Sequence, residues 1–347
     1  HHTKHKFLLH EAVKASIDCD RRFLIQQNHS ATHLLQASLR KILGSHVTQQ
    51  GSYVSDKGLR FDFNNFSNVD ETKILEVEAL VNSFIKQKND VVVSYMNYDD
   101  AIKKGAMAIF SEKYSETVRV VDMGNSVELC GGTHVNCVCE IGSFAIGSIS
   151  SIGSGIFRIE AVSGQTKSKI LRFLRPLKKE IKNILNLILQ LDPSYRFKYP
   201  KVVGSYQDIL NLRTSLEELR RVKQIKDRDL KLKIRDNFLA TLNNLTFPAN
   251  QDFYIYESKD ISLENLREGI NLLWTKTKAK NLVCFNVSEK DISFLVRSET
   301  QQASAIISEI NLKFASKGGG SKTLAQGGTP NIALAADILK YFKELLK

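Results

Sequence analysis

The sequence contains no apolar run long enough to span a membrane, and no signal peptide is recognisable at its start. Its five cysteines are an odd number, and Cys19 and Cys284 stand apart as isolated thiols. These absences predict a cytoplasmic protein with no membrane partner, in a reducing compartment where disulfides are rare. In such a compartment Cys130 is expected to be a metal ligand rather than half of a disulfide.

Acidic residues are fewer than basic residues in this chain. The chain has 37 Asp and Glu residues against 49 Lys and Arg residues, which gives a net charge of +12 and a pI of about 9.3. An excess of this size predicts a polyanionic partner, with nucleic acid first. A lysine-rich protein without such a partner is the alternative. The length of 347 residues allows two or three domains, each with its own core.

Two stretches far apart in the sequence carry residues that suit a metal ion. His29 and His33 are four residues apart within a predicted helix, and this spacing places both imidazoles on one helix face. Cys130 and His134 have the same spacing in a turn that contains two glycines. Three imidazoles and one thiolate form a donor set typical of tetrahedral Zn²⁺, so the sequence predicts a zinc site.

Two further cysteines offer a rival ligand set. Cys137 and Cys139 follow the second stretch closely, and together with Cys130 and His134 they would also supply four zinc ligands. That alternative leaves the histidine pair of the first stretch without a role. A histidine pair that is merely incidental is the remaining alternative, because short motifs often match by chance.

The predicted elements divide the chain into three parts. Residues 1–164 mix helices and short strands, among them a helix capped by Asp20, and are predicted to form an α+β domain with a mostly antiparallel sheet. Residues 165–245 form a long, basic helical linker that Pro176 is expected to kink or split. Residues 246–347 form a small C-terminal α/β domain. The basic helices are expected either to contact tRNA or simply to face solvent.

A glycine-rich segment, residues 317–328, lies between the last two predicted helices. Its glycines permit close approach of the backbone to a phosphate or a ribose. It is not a Walker loop, because its Lys-Ser/Thr pair does not follow the required second glycine. A flexible hinge is the alternative interpretation.

Taken together, several of these stretches resemble alanyl-tRNA synthetase. The stretches that resemble its editing domain are residues 28–35, 46–54, 59–63 and 128–135. Residues 155–164 are similar to the closing segment of that domain, and the basic helices look like the linker that follows it. The glycine-rich segment, with Ala325 and Gln326, is similar to the C-terminal domain. The resemblance covers nearly the whole chain and leaves out the N-terminal aminoacylation domain of the family.

This resemblance implies a zinc-dependent editing domain that hydrolyses tRNA(Ala) mischarged with serine or glycine. The implied zinc ligands are His29, His33, Cys130 and His134. Gln49 is expected to orient the ester or the attacking water, and Thr133 to contact the substrate. The implied partners are tRNA(Ala), an aminoacylation domain covalently linked outside this chain, and further copies of the chain that associate through the C-terminal half. The implied RNA-binding residues are Lys317, Gly318, Gly319, Gly320, Lys322 and Gln326.

The sequence departs from the family's pattern at three places. Residues 64–65 are Asn-Asn where the family often has a histidine, and residues 138–139 are Val-Cys where Thr-Gly is usual. Residues 321–322 are Ser-Lys where the family usually carries Arg-Pro. The last departure bears directly on the RNA contacts of the glycine-rich segment.

Other functions remain open on the sequence alone. The chain would also suit a free-standing alanyl-tRNA editing protein, or a tRNA-binding structural half whose zinc is not catalytic. The related editing domain of threonyl-tRNA synthetase resembles the region around the histidine pair, but the glycine-rich module argues against it. Phosphodiesterases with a similar glycine-rich C-terminal domain are a weaker rival, because this chain lacks their Asp-His-His cluster.

Overall fold

The computed structural model describes residues 6–108, 114–247 and 251–345. The chain forms two compact units, residues 1–223 and 224–347. The boundary between these units falls inside the predicted linker, and the division of the chain into three domains stays a prediction. Among the described helices, none is both long enough and apolar enough to cross a membrane.

The described residues form the following helices and strands. The helices are α1 (Cys19–Leu43), α2 (Glu71–Lys86), α3 (Tyr98–Lys103), α4 (Thr166–Lys169), α5 (Leu171–Leu191), α6 (Gln207–Asn244), α7 (Leu263–Thr277), α8 (Ala303–Phe314) and α9 (Ala335–Leu345). The strands are β1 (Gln49–Ser55), β2 (Gly58–Asn64), β3 (Val92–Asn97), β4 (Thr117–Asp122), β5 (Val127–Leu129), β6 (Ser143–Gly153), β7 (Ile156–Gly164), β8 (Phe253–Lys259), β9 (Asn281–Val287), β10 (Ile292–Ser298), β11 (Lys317–Gly320) and β12 (Leu324–Thr329).

The helix that carries the histidine pair, α1, is fixed at both ends by its capping residues. The Asp18 carboxylate accepts a hydrogen bond from the Arg21 backbone N–H at 2.9 Å, so α1 begins at Cys19. The predicted cap, Asp20, is therefore wrong: it lies inside the first turn, where its negative charge favours the helix N-terminus. Gly44 ends the helix with a φ of 125°, a backbone region that favours glycine.

The first unit is built on a four-stranded antiparallel sheet in the order β1-β2-β7-β6, in which β1 is an edge strand. α1 and α2 pack together on one face of this sheet, and side chains such as Leu34, Leu35 and Phe61 are fully buried between them. A second antiparallel sheet has the strand order β3-β4-β5. Its last strand ends at Leu129, so Cys130 is the first residue of the predicted ligand turn. The predicted mixture of helices with mostly antiparallel sheet is confirmed here.

The second unit contains a five-stranded sheet in the order β11-β12-β10-β9-β8. Its β8 and β9 are parallel and the other neighbours are antiparallel. The prediction of a glycine-rich loop or hinge is wrong, because β11 and β12 pair there as strands. A Cβ on Gly318 would lie 2.2 Å from the Gln326 carbonyl oxygen, so this pairing requires glycine.

The predicted split of the basic helix at Pro176 is also wrong. α5 runs through Pro176, and the break lies earlier, at Ile170 between α4 and α5. Leu174 and Ile181, on either side of the proline, are fully buried in the core of the first unit. This burial anchors the turns that flank the proline, so tertiary packing outweighs the local cost of the missing N–H.

Candidate metal centre

α1 presents His29 and His33 on one face, with ring centroids 5.2 Å apart. His33 is buried at 5% exposure, whereas His29 is half-buried. Leu34 and Leu35 are buried, so this part of the helix faces the core. His33, which is next to them in the sequence, is buried for the same reason. The predicted histidine face is therefore confirmed.

The turn that follows β5 lies directly over this helix face. A Cβ on Gly132 would lie 2.0 Å from His29 Cε1, so glycine is what allows the close approach. Arg119 of β4 braces the turn from outside: its Nη1 donates to the carbonyl of Cys130 and, at 3.0 Å, to that of Gly132. The Arg119 carbonyl also accepts from the Cys130 backbone N–H at 3.1 Å.

The four predicted ligands lie together. One donor atom from each of His29, His33, Cys130 and His134 lies within 4.8 Å of the others. The Cys130 Sγ is 3.6 Å from His29 Nε2 and 3.4 Å from His134 Nε2. Ligands of a tetrahedral zinc ion with ordinary Zn–N and Zn–S bonds are separated by about 3.5 Å. The residues present therefore fit a zinc ion in both chemistry and spacing.

The outward nitrogen of each imidazole is already engaged by the protein. A metal-binding histidine normally gives its second ring nitrogen to a neighbouring group, which fixes the ring orientation and leaves the first nitrogen for the ion. Here it is Nδ1 that faces such a group in all three rings, which leaves each Nε2 for the ion. The facing groups are Thr133 O for His29 at 3.2 Å and Ser30 Oγ for His134 at 3.1 Å, both hydrogen bonds, and Glu128 Oε2 for His33 at 2.9 Å, an ion-pair contact.

Sequence reasoning missed the residues that orient this cluster. Glu128 is 1% exposed, and its second oxygen accepts a hydrogen bond from Ser126 Oγ at 2.7 Å. In the sequence, the one indication of this role is that Glu128 is an acidic residue in a short strand, two positions before Cys130. The sequence gives no indication of a role for Arg119, because arginines are common in strands. Its role follows only from the tertiary fold, which packs the ligand turn against it.

The rival set of four zinc ligands is not supported. Cys137 and Cys139 are joined to each other in a disulfide, so neither thiol is available to an ion. Cys130 is free, as predicted. The histidines of α1 complete the cluster instead.

The electrostatics of the cluster favour a thiolate. Burial raises the pKa of Cys130, but hydrogen bonds from His134 and His29 outweigh this and bring the pKa to about 3. Burial lowers the pKa of His33, but the Glu128 carboxylate and Cys130 raise it to about 10. Burial lowers the pKa of His134 to about 4. An anionic sulfur beside imidazoles is the state in which cysteine binds metals.

The two predicted catalytic residues lie in different surroundings. Gln49 lines a cavity of about 70 Å³ together with the metal cluster, and its Nε2 donates to Ser52 Oγ at 3.1 Å. Thr133 lines a separate cavity of about 200 Å³ beside the start of α1. Its contribution to the cluster is the carbonyl that accepts from His29.

The predicted RNA-binding residues lie on β11 and β12 and on the turn between them. Lys317, Gly318 and Gln326 line a cavity of about 710 Å³ in the second unit, to which Lys290 also contributes. Gln326 Oε1 accepts hydrogen bonds from the Arg267 guanidinium at 2.6 and 3.0 Å. The remaining predicted residues, Gly319, Gly320 and Lys322, are exposed on the hairpin but do not line this cavity.

The segment that holds the ligand turn belongs to a recognised domain family. Residues 118–160 match the second additional domain of threonyl and alanyl tRNA synthetases. This match contains Cys130, His134 and the bracing Arg119. The ligand turn thus lies in a segment similar to a domain of these aminoacyl-tRNA synthetases.

Similar proteins of known family identify the family of this chain more closely. Alanine–tRNA ligase of Acholeplasma laidlawii (strain PG-8A) is 38% identical over 322 residues, which cover 92% of this chain and 38% of that protein. Alanine–tRNA ligase of Thermotoga sp. (strain RQ2) is 34% identical over 346 residues, which cover 97% of this chain and 37% of that protein. The chain belongs to the alanyl-tRNA synthetase family and corresponds to its C-terminal part, as the sequence motifs predicted.

The chain therefore spans 37–38% of the length of these two curated relatives. Among solved structures, the C-Ala domain from Aquifex aeolicus alanyl-tRNA synthetase is 23% identical and covers 27% of this chain and 89% of that chain. The TM-score of this match is 0.25.

Proposed function

We propose that this chain removes wrongly attached amino acids from tRNA(Ala), by hydrolysing the ester of Ser-tRNA(Ala) and Gly-tRNA(Ala). The observation that carries the proposal is the orientation of the three imidazoles, whose Nδ1 atoms are held by protein groups while donor atoms converge with Cys130 Sγ. Membership of the alanyl-tRNA synthetase family supplies the substrate class. A synthetic site for alanine cannot cleanly reject serine or glycine, so a second, hydrolytic site is useful.

The metal in this proposal is Zn²⁺, held by His29, His33, Cys130 and His134. Zinc supplies Lewis-acid polarisation to ester hydrolysis when it is bound. The chain's own residues shape the reaction around it. The cavity of about 70 Å³ beside the cluster restricts the acyl group to a small one, and the Gln49 amide and Ser52 hydroxyl line it as polar groups that can orient an ester or a water. Thr133 acts in this scheme by fixing His29 through its carbonyl oxygen.

The rest of the chain is proposed to hold the tRNA. The net charge of +12 suits a polyanion, and the lining of the second-unit cavity includes Lys290 and Lys317. We assign the RNA contacts of this unit to β11, β12 and their turn, and further contacts to the basic faces of α5 and α6. The proposed setting is the cytoplasm, and association of copies through the C-terminal half is part of the same proposal.

A second function is favoured by the ligand count. Four protein ligands form the closed shell typical of structural zinc sites, whereas catalytic sites usually keep one position open. The chain would then be a tRNA-binding structural half with no hydrolytic activity of its own.

Deacylation of Ser-tRNA(Ala) by the purified chain separates the two functions. The parent is compared with Gln49→Ala and with a His33→Ala, Cys130→Ala double variant, and zinc is measured in each. The editing function predicts hydrolysis by the parent, loss of hydrolysis with loss of zinc in the double variant, and reduced hydrolysis with zinc retained in Gln49→Ala. Bound zinc without hydrolysis of either Ser-tRNA(Ala) or Gly-tRNA(Ala) would establish the structural role instead.

A further inference from the structure

The edge strand β1 separates the metal cavity from a second cavity on the opposite face of the sheet. Ser52 lines the cavity beside the metal cluster, and its cross-strand neighbour is the buried Phe61. The next residue, Tyr53, points to the other face, is 60% exposed and pairs across the strands with Arg60. Two adjacent residues of one strand thus reach two cavities, and β1 has a free edge between them.

The outer cavity has a volume of about 480 Å³ and combines exposed aromatic surface with cations. The Arg60 guanidinium lies 6.0 Å from the centroid of the Tyr53 ring, and that of Arg172 lies 4.6 Å from the Phe173 ring. Arg172 is held in place, because its Nη1 donates to the Lys57 carbonyl at 2.8 Å.

Gly58 makes room for this arrangement. Its φ of +154° lies where side chains are strained, and a Cβ there would lie 2.8 Å from Arg172 Nη2 and 2.6 Å from the Ala161 carbonyl oxygen. The Arg172 guanidinium is therefore packed in a fixed position against the hairpin between β1 and β2.

Two arginines, Arg60 and Arg172, and one carboxylate, Glu160, line the outer cavity, so these charged side chains sum to a net positive charge. Asp62 is already bound in a bidentate pair by Arg158, at 2.7 Å for each bond, and is 3.9 Å from Arg60. Glu160 lines the cavity and accepts a hydrogen bond from Ser148 at 3.1 Å. The Arg60 side chain is 41% exposed, although its Nε is buried, so a ligand would meet the outer part of the guanidinium.

We propose that the outer cavity binds the unpaired RNA next to the tRNA 3′ end, and that this strand crosses β1 to bring the aminoacyl ester to the metal cavity. A base stacks on Tyr53, and its phosphate lies between Arg60 and Arg172. Exposed aromatic rings beside arginines are how proteins hold single-stranded RNA without reading its sequence. This inference rests on the proposed editing function, because it supplies the path by which the ester arrives.

Binding of uncharged tRNA(Ala), with and without its unpaired 3′ end, tests the path. Tyr53→Ala is expected to weaken binding of the intact tRNA about tenfold, the size of one lost base stack, and to leave binding of the shortened tRNA unchanged. Tyr53→Phe retains the ring and is expected to bind as the parent does. Arg60→Gln and Arg172→Gln are each expected to lower the salt dependence of binding by about one counterion.

Matched variants control for general effects. Tyr95 is an equally prominent tyrosine on β3, 70% exposed, so Tyr95→Ala controls for loss of an exposed ring. Lys73→Gln on α2 removes the same charge as Arg60→Gln. Equal binding of intact tRNA by the parent and Tyr53→Ala would overturn the proposal, as would an equal loss for both tRNAs. Because uncharged tRNA carries no ester, a failure of the editing function would show separately, as absent hydrolysis alongside Tyr53-dependent binding.

Discussion

Arg119 makes three of the hydrogen bonds that fix the turn between Cys130 and Gly132. Its planar guanidinium reaches two carbonyls at once, which a lysine ammonium cannot do in the same geometry. Arg119→Ala is expected to weaken zinc binding at least about tenfold, and Arg119→Lys to fall between it and the parent. Competition with a chromophoric chelator measures the affinity, and the visible spectrum of the Co²⁺ form reports whether the ligand geometry has changed.

Arg40 provides the matched control for this variant. Its Nη1 donates to the Val47 carbonyl at 2.7 Å, so it also braces a backbone segment of the first unit but makes no contact with the ligand turn. Arg40→Ala is expected to retain the zinc affinity and the Co²⁺ spectrum of the parent. Identical zinc affinities for Arg119→Ala and the parent would show that the turn holds its shape without the guanidinium.

Glu128 is the second residue whose effect on the ion is indirect. Its carboxylate lies 2.9 Å from His33 Nδ1 and is itself oriented by Ser126. Glu128→Gln removes the charge that complements the imidazole, and zinc affinity is expected to fall by about 10- to 100-fold. Isothermal titration with Zn²⁺ checks this, with Glu140→Gln as a control of the same chemistry. A Glu128→Gln variant that binds zinc as tightly as Glu140→Gln would contradict the assignment.

The four candidate ligands could be proposed from sequence, and the residues that support them could not. The spacing of His29 and His33 places them on one helix face whatever the tertiary fold. Glu128 and Arg119 contact the cluster only because β4 and β5 pack the turn against α1. Such contacts depend on tertiary structure, which local spacing does not encode.

At the scale of elements, Glu78 joins three segments of the first unit. It lies on α2, and its carboxylate accepts from the Ile146 N–H of β6 at 2.7 Å and from the Tyr206 N–H, just before α6, at 2.9 Å. Burial, despite these hydrogen bonds and with the help of nearby Asp208, raises the pKa of Glu78 to about 7. A strongly buried carboxyl therefore titrates in the neutral range.

This pKa predicts a pH-dependent stability. Because the folded pKa lies above the unfolded value, the contribution is complete below about pH 4.5 and is lost as the pH rises through about 7. Glu78→Gln keeps an oxygen acceptor but cannot ionise, so it is expected to be more stable than the parent at pH 8, by at most about 3 kcal/mol, and close to it at pH 5. Urea unfolding at both pH values measures the difference. If the free energies of unfolding of Glu78→Gln and the parent differ by the same amount at pH 5 and at pH 8, the effect is ruled out.

Helix ends that are set by local capping residues leave a signal in the sequence, whereas boundaries that depend on packing leave none. The stop at Gly44 and the end of α5 at Asp192 follow from capping and turn residues. Pro176 lies inside α5 because the turns around it are buried in the core, and β12 is held in part by β10, which is remote in sequence. In the pairing of β11 with β12, the Gln326 carbonyl oxygen lies so close to Gly318 that only glycine fits there.

At the scale of the whole molecule, the two units have separate cores, and the metal cluster lies in the first. Removing zinc with a chelator is therefore expected to lower the unfolding temperature of the first unit and leave that of the second unchanged. A ligand at about 1,000 times its Kd stabilises the folded state by about 4 kcal/mol. Differential scanning calorimetry resolves the two transitions, and the His33→Ala, Cys130→Ala variant should not respond to the chelator. A matching shift in both transitions would mean that the units do not unfold independently.

The four ligands come from stretches that are far apart in the chain: His29 and Cys130 are separated by 101 positions. At a synthesis rate of about 5–20 residues per second, the histidine helix leaves the ribosome roughly 5 to 20 seconds before the cysteine turn does. During that interval the histidines have no thiolate partner, and β6 and β7 have not yet been synthesised, so α1 can pack only on β1, β2 and α2. If the proposed zinc ion binds, it does so late in the synthesis of this unit, and its four ligands then close a loop of about a hundred residues.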